Sequence, residues 1–214
     1  MRPFALILAF AFVAPLRAED ADTLVTPDHR LAPDDPAWVE LAAGLRDKPG
    51  ITADFSEQRR FAFKKTPTVL KGEARVSAEH GLSLHYLEPE AQTVIIDAQG
   101  LLLRTATGDT IPPADPASAA ANAALLHVLR LELRPLAEIF ELYGVRTGAA
   151  WTIALVPRAA DLRRTLGRIS VEGDGAAVRR IEFRRSATQR VEILVEPPRS
   201  VAAFTADELR RFFR

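Results

Sequence analysis

Residues 70–76 read Leu70-Lys71-Gly72-Glu73-Ala74-Arg75-Val76, and residues 82–86 read Leu82-Ser83-Leu84-His85-Tyr86. In both stretches apolar or small residues alternate with polar or charged ones. A period of two puts every second side chain on one face of a pleated strand. The pattern extends over residues 51–107. Phe55, Phe61 and Phe63 punctuate a charged run there, and Val94 to Ile96 and Leu101 to Leu103 flank the turn residues Asp97-Ala98-Gln99-Gly100. This region predicts an antiparallel meander with one apolar face and one solvated face.

Upstream, Asp34-Asp35-Pro36 supplies an acidic cap followed by proline at the first helical position. Trp38, Leu41, Ala42 and Leu45 then recur at helical spacing, and Pro49-Gly50 ends the helix. Downstream, residues 108–116 form a loop rich in Pro and Asp. Helical spacing returns from Pro116 to Tyr143: an alanine-rich segment with Leu125, Leu126 and Leu129, then a helix restarted by Pro135. The stripe of that helix is Leu136, Ile139, Phe140 and Tyr143, with Gly144 as its C-cap. Strands resume at Trp151, Ile153 and Leu155 and over residues 168–172, 178–184 and 191–196, with Gly173-Asp174-Gly175 as a hairpin signal. Thr205-Ala206-Asp207-Glu208 is a capping box that opens a short closing helix. The order is therefore helix, four or five strands, helices, four strands, short helix. It gives an α+β, mainly β class: a single antiparallel sheet that twists and curls, with helices packed on its apolar face. A cleft between sheet and helices would be lined by aliphatic and aromatic groups and suits a hydrophobic ligand.

The start of the chain carries a different signal. Arg2 precedes an unbroken apolar run from Phe4 to Val13, and Leu16-Arg17-Ala18 ends on a small residue. Residues 1–18 read as a cleavable signal peptide, 19–35 as a loose polar leader, and 36–214 as a single domain. The run is too short to span a bilayer, which takes about 20 residues. There is no cysteine. The core is thus expected to stabilise an exported protein without disulfides, and no residue is available for lipid attachment after the cleavage point.

Charge is balanced overall but unevenly placed. Residues 19–144 hold 12 Lys/Arg against 20 Asp/Glu, and residues 145–214 hold 14 against 8. Export argues against nucleic acid as the partner of the basic half. Arg163, Arg164, Arg168, Arg180 and Arg184, with Arg179, form either a solvated face or a docking patch for an acidic partner or anionic headgroups.

Catalytic constellations are thin. His80 and His85 lie five apart and would point to opposite faces of a strand, His29 falls in the leader, and His127 sits on a helix face. No nucleophile elbow, zinc-protease motif or phosphate loop is present, and Glu88 and Glu90 flank Pro89 in a turn. The sequence gives no reason to propose an enzyme, a metal or a cofactor.

Several segments together resemble the periplasmic lipoprotein-carrier family, the LolA-like proteins, over about residues 36–212. They are Ala53-Asp54-Phe55-Ser56-Glu57-Gln58-Arg59, the two alternating stretches quoted first with Gly81 and Pro89, Ile95-Ile96-Asp97-Ala98-Gln99-Gly100, and the closing Pro197-Pro198-Arg199-Ser200-Val201. Where well-known carriers have an arginine-proline pair, this chain has Ser77-Ala78-Glu79-His80, which marks a divergent member. The resemblance implies an incomplete antiparallel barrel under a helical lid. It also implies a monomeric periplasmic carrier that takes acylated lipoprotein or lipid from an inner-membrane donor to an outer-membrane acceptor. The cargo-facing residues expected are Phe55, Phe61, Leu70, Val76, Leu82, Leu84, Val94, Ile96, Trp151, Ile153, Ile181, Phe183 and Ile193, with Leu136, Ile139 and Phe140 on the lid. For any one of these, plain core packing has the stronger claim. Two other functions remain open: a lipid or lipoprotein sensor or adaptor on the same fold, and an enzyme with an unrecognised site.

Overall fold

A computed structural model describes residues 23–46, 48–112, 125–128 and 130–214. The expected signal peptide, the first part of the leader and Leu129 lie outside these residues.

Helix α1 (Pro36–Arg46) is followed by strands β1 (Gly50–Arg60), β2 (Thr68–Ser77), β3 (Gly81–Glu88), β4 (Gln92–Asp97), β5 (Gly100–Thr105) and β6 (Gly108–Thr110). After helix α2 (Leu133–Ile139) come β7 (Phe140–Thr147), β8 (Ala150–Pro157) and helix α3 (Ala160–Leu166). The chain ends with β9 (Arg168–Asp174), β10 (Ala177–Arg184), β11 (Arg190–Val195), β12 (Arg199–Val201) and helix α4 (Ala206–Phe212). All twelve strands form one antiparallel sheet in the order β6-β5-β4-β3-β2-β1-β11-β10-β9-β8-β7, with β12 also on β1. The ends of that path, β6 and β7, are not paired with each other, so the sheet is open. The expected mainly β, incompletely closed antiparallel sheet with helical cover is what the chain forms.

Register fixes which residues share a face. Phe55 stands opposite Gly72 and Val195, Ile193 opposite Ile181, and Ile181 opposite Val171, so these side chains share the inner face. Trp38, Leu41, Ala42 and Leu45 of α1 pack there against Trp151, Ile153, Leu155 and Val171, together with Val128, Leu131 and Leu136. Asp35 caps α1 as the sequence predicts: its Oδ1 accepts from the backbone N–H groups of Ala37 (3.0 Å) and Trp38 (3.4 Å).

Four expectations need correction. Helix α2 stops at Ile139, and Phe140 to Thr147 form a strand. Phe140 and Tyr143 fit helical spacing, but Phe140, Leu142 and Gly144 also fit a period of two, and an eight-residue ladder with β8 decides between them. Gly144 is therefore no helix cap. A Cβ there would lie 2.6 Å from Trp38 Cζ2, so the glycine lets α1 settle on β7.

Second, helix α3 occupies residues where only a connection was expected between strands; its Leu162 is buried, and Gly167 closes it at φ +68°. Third, the leader is not loose from residue 24 on. Leu24 and Leu31 are buried, Leu31 N–H donates to Leu142 O at 2.9 Å, and Arg30 bridges Tyr143, which covers the β7 edge. Fourth, the outer face is not simply solvated. Phe212 and Phe213, at the end of α4, meet His85 and His80 there. Leu24 and Val25 pack on Tyr143 and Ala154 at the other end of the sheet.

Candidate functional site

On the inner face, rows of β-bonded neighbours set Ile51 beside Val76 and Leu82, and Ala53 beside Ala74 and Leu84. The small residues Ala53 and Ala74 leave space that no helix side chain fills. A cavity of about 80 Å³ results, closed on its far side by Leu45 of α1, Leu125, Ala176 in the β9–β10 turn, and Ala177 and Val178 at the start of β10. All sixteen lining residues carry apolar side chains. The volume suits a few methylene-sized groups. It is smaller than the several hundred cubic ångströms typical of a ligand site. A second, wider hollow of about 460 Å³ lies between α1 and α2, but Arg46, Glu132 and Arg134 bound it.

Beyond Phe55 the inner face changes character. The Phe55 ring meets Tyr86 edge-on, with centroids 5.3 Å apart. Tyr86 OH donates to Glu57 Oε2 at 2.6 Å, and Arg59 Nε donates to Glu57 Oε1. Glu57 is buried, and a buried carboxylate is tolerable only when paired in this way. Burial, and then the adjacent Glu57 carboxylate, push the Tyr86 hydroxyl well above the usual tyrosine range. Tyr86 is therefore a neutral donor. The cluster is a polar stop behind the apolar cavity and does not line it.

Of the sixteen residues expected to face cargo, Phe55, Val76, Leu82, Leu84, Ile181 and Ile193 line the cavity. Leu70 packs with Phe55 and Tyr86, and Val94 against them. Trp151, Ile153, Leu136 and Phe140 are buried in the core under α1, with Ile139 and Phe183 packed against it. Trp151 is further committed by its Nε1–H, which donates to Gly175 O at 2.9 Å. Ile96 is buried beside Leu82 without lining the cavity, and Phe61 lies past the end of β1 at the hairpin tip. Among the lining residues the sequence reading did not name, Ala53 and Ala74 had a usable signal: they continue the inward alternation of Phe55 and Val76.

The arginines expected to dock a partner are largely engaged within the chain. Arg180, on the outer face, donates to Glu172, Glu182 (2.8 Å) and Glu192 (2.6 Å), and Arg184 donates to Glu182 at 2.7 Å. Glu182 is only 1% exposed, so this is an internal ion network. Arg163 Nη1 donates to the carbonyls of Pro157 (2.8 Å) and Arg158 (2.7 Å), and Arg164 pairs with Asp161 on α3. Arg168 is half-buried beside Arg184 on β9.

His127 Nδ1 contacts Glu132 Oε2, His85 Nδ1 contacts Thr93 Oγ1 at 2.9 Å, and His29 Nδ1 contacts Thr26 Oγ1 at 3.1 Å. Among the described residues no group of three or more His, Asp or Glu could hold a metal, and no helix is long and apolar enough to cross a membrane.

The sequence matches no family model and no curated protein. Solved structures to which it is similar include MucB in complex with MucA(peri), at 16% identity and a TM-score of 0.43, covering 82% of this chain and 59% of that one. A LolA superfamily protein from Nitrosomonas europaea aligns at 7% identity and a TM-score of 0.44, over 81% of this chain and 95% of that one. A putative outer membrane lipoprotein-sorting protein domain from Vibrio parahaemolyticus aligns at 9% and 0.39, over 81% and 96%.

Proposed function

We propose that this protein is a non-enzymatic carrier that binds the acyl chains of a lipoprotein or lipid in the apolar cavity. In this reading it works in the periplasm after removal of residues 1–18, taking cargo from the inner membrane and releasing it at the outer membrane. The observation that carries the reading is the lining: sixteen apolar side chains between sheet and α1, with the nearest buried charge held behind Phe55. Each methylene moved from water into such a site contributes about 0.8 kcal/mol, so affinity follows chain length and needs no polar clamp. The small resting volume requires the cavity to widen as cargo enters. That makes binding adjustable and release possible.

Titration of the purified protein with a fluorescent fatty acid, alongside native mass spectrometry, tests this. Saturable uptake at micromolar concentration is expected. Ala53→Leu with Ala74→Leu, which fill the space, should weaken uptake at least about tenfold without changing the circular dichroism spectrum. A parent protein that takes up no acyl probe would sink the proposal.

A further inference from the structure

At the opposite end of β1 from the cavity, residues 61–67 join β1 to β2. Phe63 is 87% exposed there, the highest value of any large apolar residue among those described. Its ring stacks on Phe61, with centroids 5.4 Å apart and planes 18° from parallel. Lys64 N–H donates to Phe61 O at 3.1 Å, which turns the chain so that both rings stand together at the tip. Val69 on β2 and Leu87 on β3 are also about half exposed at this end of the sheet. A fold gains nothing from apolar surface left in water, and a cluster of it marks a contact.

The charge around the rings is one-sided. From Gln58 to Gly72 the sequence has five basic residues and no acidic one. Arg60, Lys64 and Lys65 are exposed, and neither lysine pairs with a carboxylate among the described residues. Lys64 Nζ donates to Thr68 Oγ1 at 2.8 Å, which holds its ammonium beside the tip. Arg60 stands opposite Arg190, which with Arg184 belongs to the ion network around Glu182, so the free basic charge at the tip is that of Arg60, Lys64 and Lys65. Of the acidic groups nearby, Glu57 is engaged by Arg59 and Tyr86, Glu182 by Arg180 and Arg184, and Glu88 by Lys71 at 3.4 Å, while Glu90 in the β3–β4 turn is exposed.

We propose that this hairpin tip docks the protein on an anionic phospholipid bilayer. Phe61 and Phe63 enter the boundary between headgroups and acyl chains, and Arg60, Lys64 and Lys65 meet the lipid phosphates. Protruding aromatic groups ringed by lysine and arginine match that interface in both polarity and charge. Neither of the two cavities described above includes a residue of the tip, which favours a surface over an inserted peptide. Strand β1 links the two sites: its inward residues line the cavity, and Phe61 follows six positions after Phe55, about 20 Å along the strand. The inference does not rest on the identity of the cavity's cargo.

Cosedimentation with vesicles of phosphatidylcholine containing phosphatidylglycerol tests it, with pure phosphatidylcholine vesicles as control. The parent should pellet with the anionic vesicles and dissociate as salt is raised. Phe61→Ser with Phe63→Ser, and separately Lys64→Glu with Lys65→Glu, should each lower partitioning at least about tenfold. All variants share every residue outside 61–65, so differences between them report the tip alone. Phe63→Trp should shift its emission to the blue on anionic vesicles, against the constant background of the buried Trp38 and Trp151. Partitioning that the double variants leave unchanged, or a Phe63→Trp emission insensitive to vesicles, would overturn the proposal. So would binding to a soluble polyanion such as polyglutamate without binding to vesicles, which would assign the tip to an acidic protein instead.

Discussion

Glu57 shows how one buried charge divides the inner face. Its two oxygens are held by Tyr86 and Arg59, so the carboxylate is fixed and adds no free acceptor to the apolar space beyond Phe55. Tyr86→Phe would leave one oxygen without a donor. The expected cost is about 1–3 kcal/mol in urea unfolding, and a change within experimental error would show that Arg59 alone suffices. The pH dependence has a definite sign. The Tyr86 hydroxyl is raised in the folded state, so its contribution is intact below the unfolded tyrosine value of about 10 and is lost as pH rises toward the folded one. The parent should therefore lose stability above pH ~10 faster than Tyr86→Phe does. The sequence shows the alternation that turns Glu57 inward, as it shows Phe55. Arg59, two residues on along β1, shares that face by the same alternation, but nothing in the sequence hints that a tyrosine from β3 would meet the carboxylate, because cross-strand register sets that encounter.

Helix α4 is an element whose existence the sequence announces and whose location it conceals. Thr205 and Glu208 form the capping box read from their spacing, and both reciprocal bonds are present. The helix packs on the outer face, however, where its Phe212 ring lies 3.6 Å from the Arg75 guanidinium and 5.2 Å from the His85 ring. The signal for that docking was the unbroken runs Val94-Ile95-Ile96 and Leu101-Leu102-Leu103. In both, the outward residue is apolar as well: Ile95 and Leu102 are buried. Strand β7 failed for a related reason, since a short apolar run fits both periods until a neighbouring strand pairs with it. Phe213, 1% exposed against His80 and Phe204, anchors the end of the helix. Phe213→Ala should cost about 3–5 kcal/mol in thermal or urea unfolding. Acid should loosen the neighbouring contact of Phe212 with His85. Burial, then the charges of Arg211 and Arg75, hold His85 below the ordinary histidine value, with Glu73 opposing them. Its neutral form thus contributes stability above about pH 6.5, and this is lost as pH falls through the folded value. The urea midpoint should drop between pH 7.5 and 5, and His85→Asn should flatten that drop. A slope unchanged by the substitution would show that another group titrates.

On the scale of the whole molecule, a cavity of about 80 Å³ and an acyl cargo are compatible only if the walls separate. Most of the wall is sheet, continuous from β3 through β1 to β10, and such a ladder cannot part cheaply. The remaining wall is the C-terminal end of α1, Leu125 and the β9–β10 turn, which meet without a shared ladder. Lys48 Nζ donates to Ala176 O at 3.1 Å, and a Cβ placed on Gly44 would lie 3.4 Å from Ala176 Cβ. We expect the wall to part at that junction, and its geometry allows a test. That Cβ separation lies just below the range of about 3.5–4.5 Å that a disulfide spans, so a crosslink needs a shift of only a few tenths of an ångström. The chain has no cysteine, so Gly44→Cys with Ala176→Cys creates a single possible crosslink. Oxidised, the double variant should hold α1 against the turn and lose acyl uptake. Reduction should restore uptake relative to the oxidised form, a comparison made within one protein and so independent of what the substituted side chain at Ala176 does to the wall. Equal uptake in both redox states would mean that cargo enters elsewhere, through the sheet opening between β6 and β7 or the wide hollow between α1 and α2.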